Sequence, residues 1–320
     1  MLSLLENLLS PAILFFVLGL VAAFFKSDLD FPSPLPKAMS LFLLLAIGFK
    51  GGIGLRAGID LTAAYGLLIA VGMSVIVPLV SFYILKRFVD VPNAAAIAAT
   101  YGSVSAVTFI TATAFLQKQG ITYQGWVVAA LALMESPAIV IGVLLARVYS
   151  TSRESESIEW KTLLHEAFFN GPVLLLIGAM VIGAVSAEAS AMKLQESLVG
   201  AFGVVLAIFL LDMGLLAGRQ MNALKRAGGP LGVFAIILPT VAALIAIGLC
   251  WLVGIGPAET LLLAILCGSA SYIAVPAVMR LAIPEANPSL YVPMALAITF
   301  PFNVVAGIPM YWSLIKLIER

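Results

Sequence analysis

Ten apolar stretches, each about as long as a bilayer is thick, set the terms for this chain. A helix needs about 20 apolar residues to cross the hydrocarbon core. Stretches of that kind lie near 10–26, 38–55, 62–86, 94–117, 123–149, 168–187, 197–217, 231–254, 258–282 and 289–317. Of the 320 residues only 10% are charged, against roughly 25% in a soluble domain, and mean hydropathy is +1.13. The expected fold is an all-α polytopic membrane protein of about ten transmembrane helices. At the N-terminus Glu6 stands where a signal peptide would carry basic residues, and the apolar run continues to Phe25. The first stretch therefore reads as a retained span.

The ten stretches fall five and five about one long polar run, Ser150 to Lys161. The expected divisions are residues 1–149, a linker at 150–162, and 163–320. The halves share landmarks. Pro11 and Pro172 open spans one and six, Gly102-Ser103-Val104-Ser105 is echoed by Gly268-Ser269-Ala270-Ser271, and Pro137 is matched by Pro301. The three offsets are 161, 166 and 164 residues, a nearly constant register that chance would not order. An odd number of spans per half inserts the second half upside down, which predicts two inverted five-helix repeats. Lys and Arg are more numerous after odd spans, eleven against five, with Lys50 set aside as intramembrane. By the positive-inside rule both termini then lie outside and the 150–161 loop is cytoplasmic.

The Gly/Ser motifs sit mid-span, where a lipid-facing helix would carry Leu. In hydrocarbon every backbone polar group must find a partner, so a helix breaks only where it faces protein or a wet cavity. Breaks in spans four and nine, at matching places, point to a transporter's binding site. A half-helix restarting after Gly102 or Gly268 would present free N–H groups and the positive end of its dipole. Ser103, Ser105, Ser269 and Ser271 would add hydroxyls, with Thr108 and Pro276 just beyond, forming a neutral cage of donors suited to a small oxyanion. The competing reading is that Gly and Ser only let helices pack closely.

Charges inside a bilayer are functional candidates by default. Glu135, in Met134-Glu135-Ser136-Pro137, joins a carboxylate to carbonyls freed by proline, which suits Na⁺ or a proton; an internal salt bridge is the alternative. Asn303, close after Pro301, is its polar counterpart. Lys50 and Asp212, at equivalent places in spans two and seven, read as a neutralising pair. Arg280 reads as a loop edge at the cytoplasmic face. Net charge +1 with no basic run beyond two residues argues against a nucleic-acid partner. Cys250 and Cys267 lie in apolar stretches and read as buried small hydrophobes, and His165 alone is a poor metal site. No nucleophile elbow, zinc motif or phosphate loop is present, so the chain does not read as an enzyme and calls for no cofactor.

Several segments carry a resemblance: Lys50-Gly-Gly-Ile-Gly-Leu-Arg56, Gly102-Ser-Val-Ser105, Tyr123-Gln-Gly-Trp126, Met134-Glu-Ser-Pro-Ala138 and Ile283-Pro-Glu-Ala-Asn-Pro-Ser-Leu-Tyr291. Over nearly its whole length the chain resembles the sodium-dependent bicarbonate transporter family, the cyanobacterial SbtA type. The resemblance implies a homotrimer in the plasma (inner) membrane. A scaffold of spans 1, 2, 6 and 7 would carry a core of spans 3–5 and 8–10 that moves as an elevator. It implies sodium-coupled uptake of bicarbonate held between the broken helices, near Ser103, Ser105, Ser269 and Ser271, and a PII-like regulator at the cytoplasmic side. Glu135 stands where the pattern has Asp in an Asp-x-Pro motif. Tyr272 stands where an Asp would follow the second Ser cluster, and a neutral phenol does not balance a coupling cation as a carboxylate does. That departure keeps open a carrier of another small anion, such as a carboxylate, coupled to H⁺ or Na⁺. A third reading, a non-transporting membrane sensor, would have to signal through the short polar loop.

Overall fold

The computed structural model describes residues 10–32, 34–56, 58–149, 164–165, 169 and 171–319, with the backbone alone for 222–227. The 150–161 loop thus lies outside the described residues. Each apolar stretch carries helix, and among the described residues there are no strands. The helices are α1 (Pro11–Phe24), α2 (Pro34–Leu55), α3 (Leu61–Leu85), α4 (Val91–Gly102), α5 (Ala106–Lys118), α6 (Trp126–Tyr149), α7 (Gly171–Val185), α8 (Glu188–Ala227), α9 (Gly229–Leu252), α10 (Pro257–Cys267), α11 (Ala274–Ala282) and α12 (Pro288–Pro293). After α12 come two π-helical turns, Met294–Thr299 and Asn303–Gly307, flanking Phe300–Phe302, and then α13 (Ile308–Ile318). Among the described residues seven helical segments are long and apolar enough to cross a membrane. The apolar helices α1, α7 and α10 are shorter.

Sequence explains the ends of these helices. Proline, which lacks an N–H that would be orphaned anyway, opens α1, α2, α10 and α12. Asp60 and Asp90 cap α3 and α4 by accepting from the N–H of Ala63 and Asn93 at 2.7 and 3.0 Å.

Helices α1, α2, α7 and α8 form one group, in which α1 packs along α8 and α2 along α7. Glycine makes both pairings close. A Cβ on Gly19 or Gly214 would strike the backbone of the facing helix, at Leu211 and Phe16 respectively, and one on Gly52 or Gly183 would strike Met180 or Phe49. Small residues bring membrane helices to this backbone-to-backbone distance, where dispersion contacts replace a hydrophobic drive that lipid does not supply. Two arginines secure the ends. Arg56, beyond α2, donates to the carbonyls of Gly183 and Ser186 at 2.6 and 2.7 Å. Arg219, in α8, donates to the Leu29 carbonyl and pairs with Asp30 beyond α1, both at 3.0 Å.

The second group packs α3 against α4 and α6, and α9 against α10 and the first π-turn. Its interior is apolar: Ala94 to Ala99 and Leu261 to Leu266 are inaccessible. Cys250 and Cys267 are buried there as small apolar side chains. The Tyr101 hydroxyl meets Thr299 Oγ1 at 2.8 Å, and Thr299 donates on to the Ala235 carbonyl at 2.7 Å.

Lys50 and Asp212 do not form the pair that their equivalent positions suggest. The Lys50 amine lies over the Tyr123 ring, 4.8 Å from its centroid, while the charged neighbours of Asp212 are Arg219 and Asp30. Asp30 belongs to the α1–α2 connection, and Lys50 sits towards the opposite end of α2. Equivalent sequence positions are here kept apart by most of a helix length.

Candidate functional site

The chain leaves helix at both Gly/Ser motifs. Residues 103–105 separate α4 from α5, whereas residues 268–273 separate α10 from α11. The second helix therefore restarts at Ala274 and not directly after Gly268 as the motif alone suggests, and Ser269, Ala270 and Ser271 lie in the connection itself.

Both breaks are possible because glycine ends each first half. A Cβ on Gly102 would lie 2.5–2.8 Å from the ring of Pro78, a proline inside α3; one on Gly268 would lie 2.8 Å from both the Pro239 carbonyl and the Ala243 side chain in α9. No other residue lets the chain end so close to its neighbour.

The two breaks bond to each other. The Ser105 N–H donates to Ser269 Oγ at 2.9 Å, and Ser269 donates to the Leu266 carbonyl at 3.1 Å. The Ser271 N–H donates to the Thr100 carbonyl, also at 2.9 Å. Each break thus satisfies backbone groups the other exposes, which a lone break in hydrocarbon could not do. Ser105 also caps α5, its Oγ accepting from the Thr108 N–H at 3.2 Å, and Ser271 Oγ accepts from the Val275 N–H at 3.3 Å. A hydroxyl that accepts from a helix start keeps its own proton to donate elsewhere.

A cleft of about 60 Å³ opens beside the crossing, lined by residues 104–107 and 271–274, by Leu131 and Glu135 of α6, and across from them by Ser40, Leu44, Pro172, Val173 and Leu176 of α2 and α7. One water requires roughly 10–15 Å³ by this measure, so the cleft admits a few waters or a small ion. The starts of α5 and α11, with the N–H groups that have no acceptor within their own helix, converge on it. Glu135 is half-buried and makes no ion pair among the described residues, where the internal salt bridge is therefore not found. The Tyr272 phenol fills the place of the expected carboxylate, contacting Met213 Sδ at 3.7 Å and packing on Phe300, with Ser105 as a hydrogen-bonding neighbour.

Of the residues singled out from sequence, Ser105, Ser271, Tyr272 and Glu135 line this cleft. Gly102, Ser103, Thr108, Gly268, Ser269 and Asn303 do not; they build the crossing behind it. There the hydroxyls of Thr100, Ser103 and Thr108 and the Asn303 Oδ1 are buried without hydrogen-bond partners. Asn303 opens the second π-turn, and its Nδ2 donates to the Gly268 carbonyl at 2.7 Å. Buried orphan oxygens are rare in folded proteins and call for an occupant. Four such atoms flanking the breaks are hard-oxygen ligands of the type alkali and alkaline-earth cations take. Sequence reasoning missed Thr100 and Ser40. The signal for Ser40 was a lone hydroxyl in an apolar span; Thr100 lies two residues before the break.

Two broken helices bonded through their breaks inside an apolar bundle, with a small cleft at the crossing, define a membrane transport protein. The chain belongs to the Na⁺-dependent bicarbonate transporter superfamily, whose family model matches residues 11–316. No curated protein matches it.

Proposed function

We propose that this protein is a sodium-coupled bicarbonate carrier whose anion sits in the cleft between the two breaks. The observation that carries the reading is the convergence of Ser105, Ser271 and the starts of α5 and α11 on one cavity. Donors without a fixed cation suit an ion that must also leave, because binding strong enough to hold it permanently would stop transport. Bicarbonate offers three oxygens to such donors, and the positive helix ends supply favourable potential without a counter-charge to release. Sodium would bind behind it, at the orphan oxygens of Thr100, Ser103, Thr108 and Asn303, with the Glu135 carboxylate in the cleft wall. A cation there would offset the repulsion that Glu135 exerts on an anion in low dielectric, making each ion's binding depend on the other's.

The same proposal includes the ten-span inverted repeat and the elevator. Supporting the repeat are landmarks beyond those in the linear sequence: Pro78 and Pro239 each back a break, and Arg56 and Arg219 each fasten the end of a helix from the other half. Supporting the elevator is the position of the cleft between the group of α1, α2, α7 and α8 and the group that holds both breaks. The homotrimer and the PII-like regulator complete the reading on the strength of the family, and the outside placement of both termini on the Lys and Arg count.

Uptake of labelled bicarbonate into proteoliposomes, with and without an inward Na⁺ gradient, tests it. Flux that requires Na⁺ is expected; bicarbonate flux indifferent to Na⁺ refutes the coupling, and no bicarbonate flux refutes the substrate. A second reading, favoured by Tyr272 in the cleft wall, keeps the carrier and changes its cargo to a small carboxylate. Competition by acetate or lactate at the cleft is the result that would select it.

A further inference from the structure

A second cavity, of about 20 Å³, lies further along α2, between that helix, α5, α8 and the α5–α6 connection. Lys50 is its one charged lining residue. The amine is half-buried, rests on the Tyr123 ring and forms no ion pair among the described residues. A cation–π contact offsets only part of the cost of taking an ammonium out of water. Facing the same space, Gln195 has its Oε1 buried with no hydrogen-bond partner, and Gln117 adds a second amide. Turning an amide about its last bond exchanges a carbonyl for an NH₂, so both glutamines can donate into the cavity beside the ammonium. An unpaired cation with turnable amides is a set that lacks an anion.

Its place in the fold gives the site a purpose. Ser40 and Leu44, which line the cleft, and Ile47 and Lys50, which line this cavity, follow one another at spacings of three and four, on a single face of α2. From Leu44 to Lys50 is six residues, about 9 Å of helix rise. We infer that the Lys50 cavity is a second anion site, which takes a small inorganic monoanion, and that it is a station between the cleft and the end of the bundle marked by Arg56. As an anion site it stands on its own; as a station it rests on the carrier reading above.

Thermal unfolding of the purified full-length protein, titrated with sodium bicarbonate or sodium chloride against sodium gluconate at constant ionic strength, tests the site without requiring transport. The wild type is expected to gain stability with bicarbonate or chloride. Lys50→Met should raise the midpoint of that gain about tenfold or more, the usual worth of a hydrogen bond to a charged group, and Lys50→Arg should restore it. Lys50-dependent stabilisation by both anions assigns the site to small monoanions in general, and Lys50-dependent stabilisation by bicarbonate alone assigns it to the transported ion. Midpoints in Lys50→Met equal to wild type for both anions, or no stabilisation of the wild type by either, overturn the inference; Lys50→Gln is the replacement if the Met variant does not fold. Uptake in proteoliposomes separates the two readings. A Lys50-dependent midpoint in a protein that moves no bicarbonate refutes the carrier and keeps the site, whereas unchanged midpoints in a protein that transports do the reverse. For the station, Lys50→Met should raise the KM for uptake at least as far as the binding midpoint, and an unchanged KM removes the site from the route.

Discussion

Replacing Ser105 separates a structural hydroxyl from a ligating one. In the structure its oxygen accepts from the Thr108 N–H at 3.2 Å and its backbone N–H donates to Ser269 at 2.9 Å. Ser105→Ala leaves the backbone bond in place, removes the cap of α5 and removes the hydroxyl that Ser105 brings to the cleft wall. Loss of an N-cap costs about 1 kcal/mol, within a range of roughly 0.5–2. Loss of a hydrogen bond to an anion costs about 1.5–3 kcal/mol, which weakens binding about 10- to 150-fold. The two effects are read by different assays: the unfolding midpoint of the anion-free protein reports the cap, and bicarbonate-dependent stabilisation or the KM of uptake reports the donor. Ser105→Thr retains both functions of the hydroxyl and should recover the cap fully, with affinity limited only by the added methyl in a cleft of about 60 Å³. If Ser105→Ala lowers the unfolding midpoint and leaves bicarbonate affinity within twofold of wild type, the hydroxyl is only a cap and the cleft is not the anion site.

Thr108→Val exchanges a buried, unpartnered hydroxyl for a methyl of nearly the same shape. It should leave the empty protein as stable or more stable, since an unsatisfied buried hydroxyl costs about 1–3 kcal/mol, while raising the Na⁺ concentration needed for half-maximal uptake; an unchanged Na⁺ dependence would remove Thr108 from the ion site. Gly102→Ala drives a methyl into the Pro78 ring at 2.5–2.8 Å and should destabilise by about 1–3 kcal/mol, seen as a lower unfolding midpoint. Gly72→Ala, whose Cβ would meet nothing within 4 Å, should not. The Asp60 carboxyl is held below its usual range by the Ala63 N–H, then by the Thr62 hydroxyl. Its contribution is therefore complete above the unfolded pKa of about 3.9 and lost as pH falls through the lower, folded value. Asp60→Asn, which caps without titrating, should flatten this acid limb of the stability profile, and an identical limb in both proteins would count against it.

Sequence alone determined that this chain lives in a membrane and that it leaves helix at the two Gly/Ser motifs. Lipid offers backbone groups no partner, so apolar stretches of this length must be helical, and Gly with Ser in mid-span must face something other than lipid. It also brought out Ser105, Ser271 and Glu135, because polar side chains in hydrocarbon are too costly to keep without use, and Tyr272 through its departure from the family pattern. Which of the hydroxyls face the cleft was a matter for tertiary structure. The first break is three residues and the second six, and within the longer one Ser269 meets the Ser105 N–H while Ser271 reaches the cleft. Lys50 and Asp212 show the same limit from the other side. Their register in the two halves suggested a pair, yet Arg219 and Asp30 surround one and Tyr123 lies under the other. Register records where a residue stands along its helix; contact depends on how helices from opposite halves face one another, and only packing decides that.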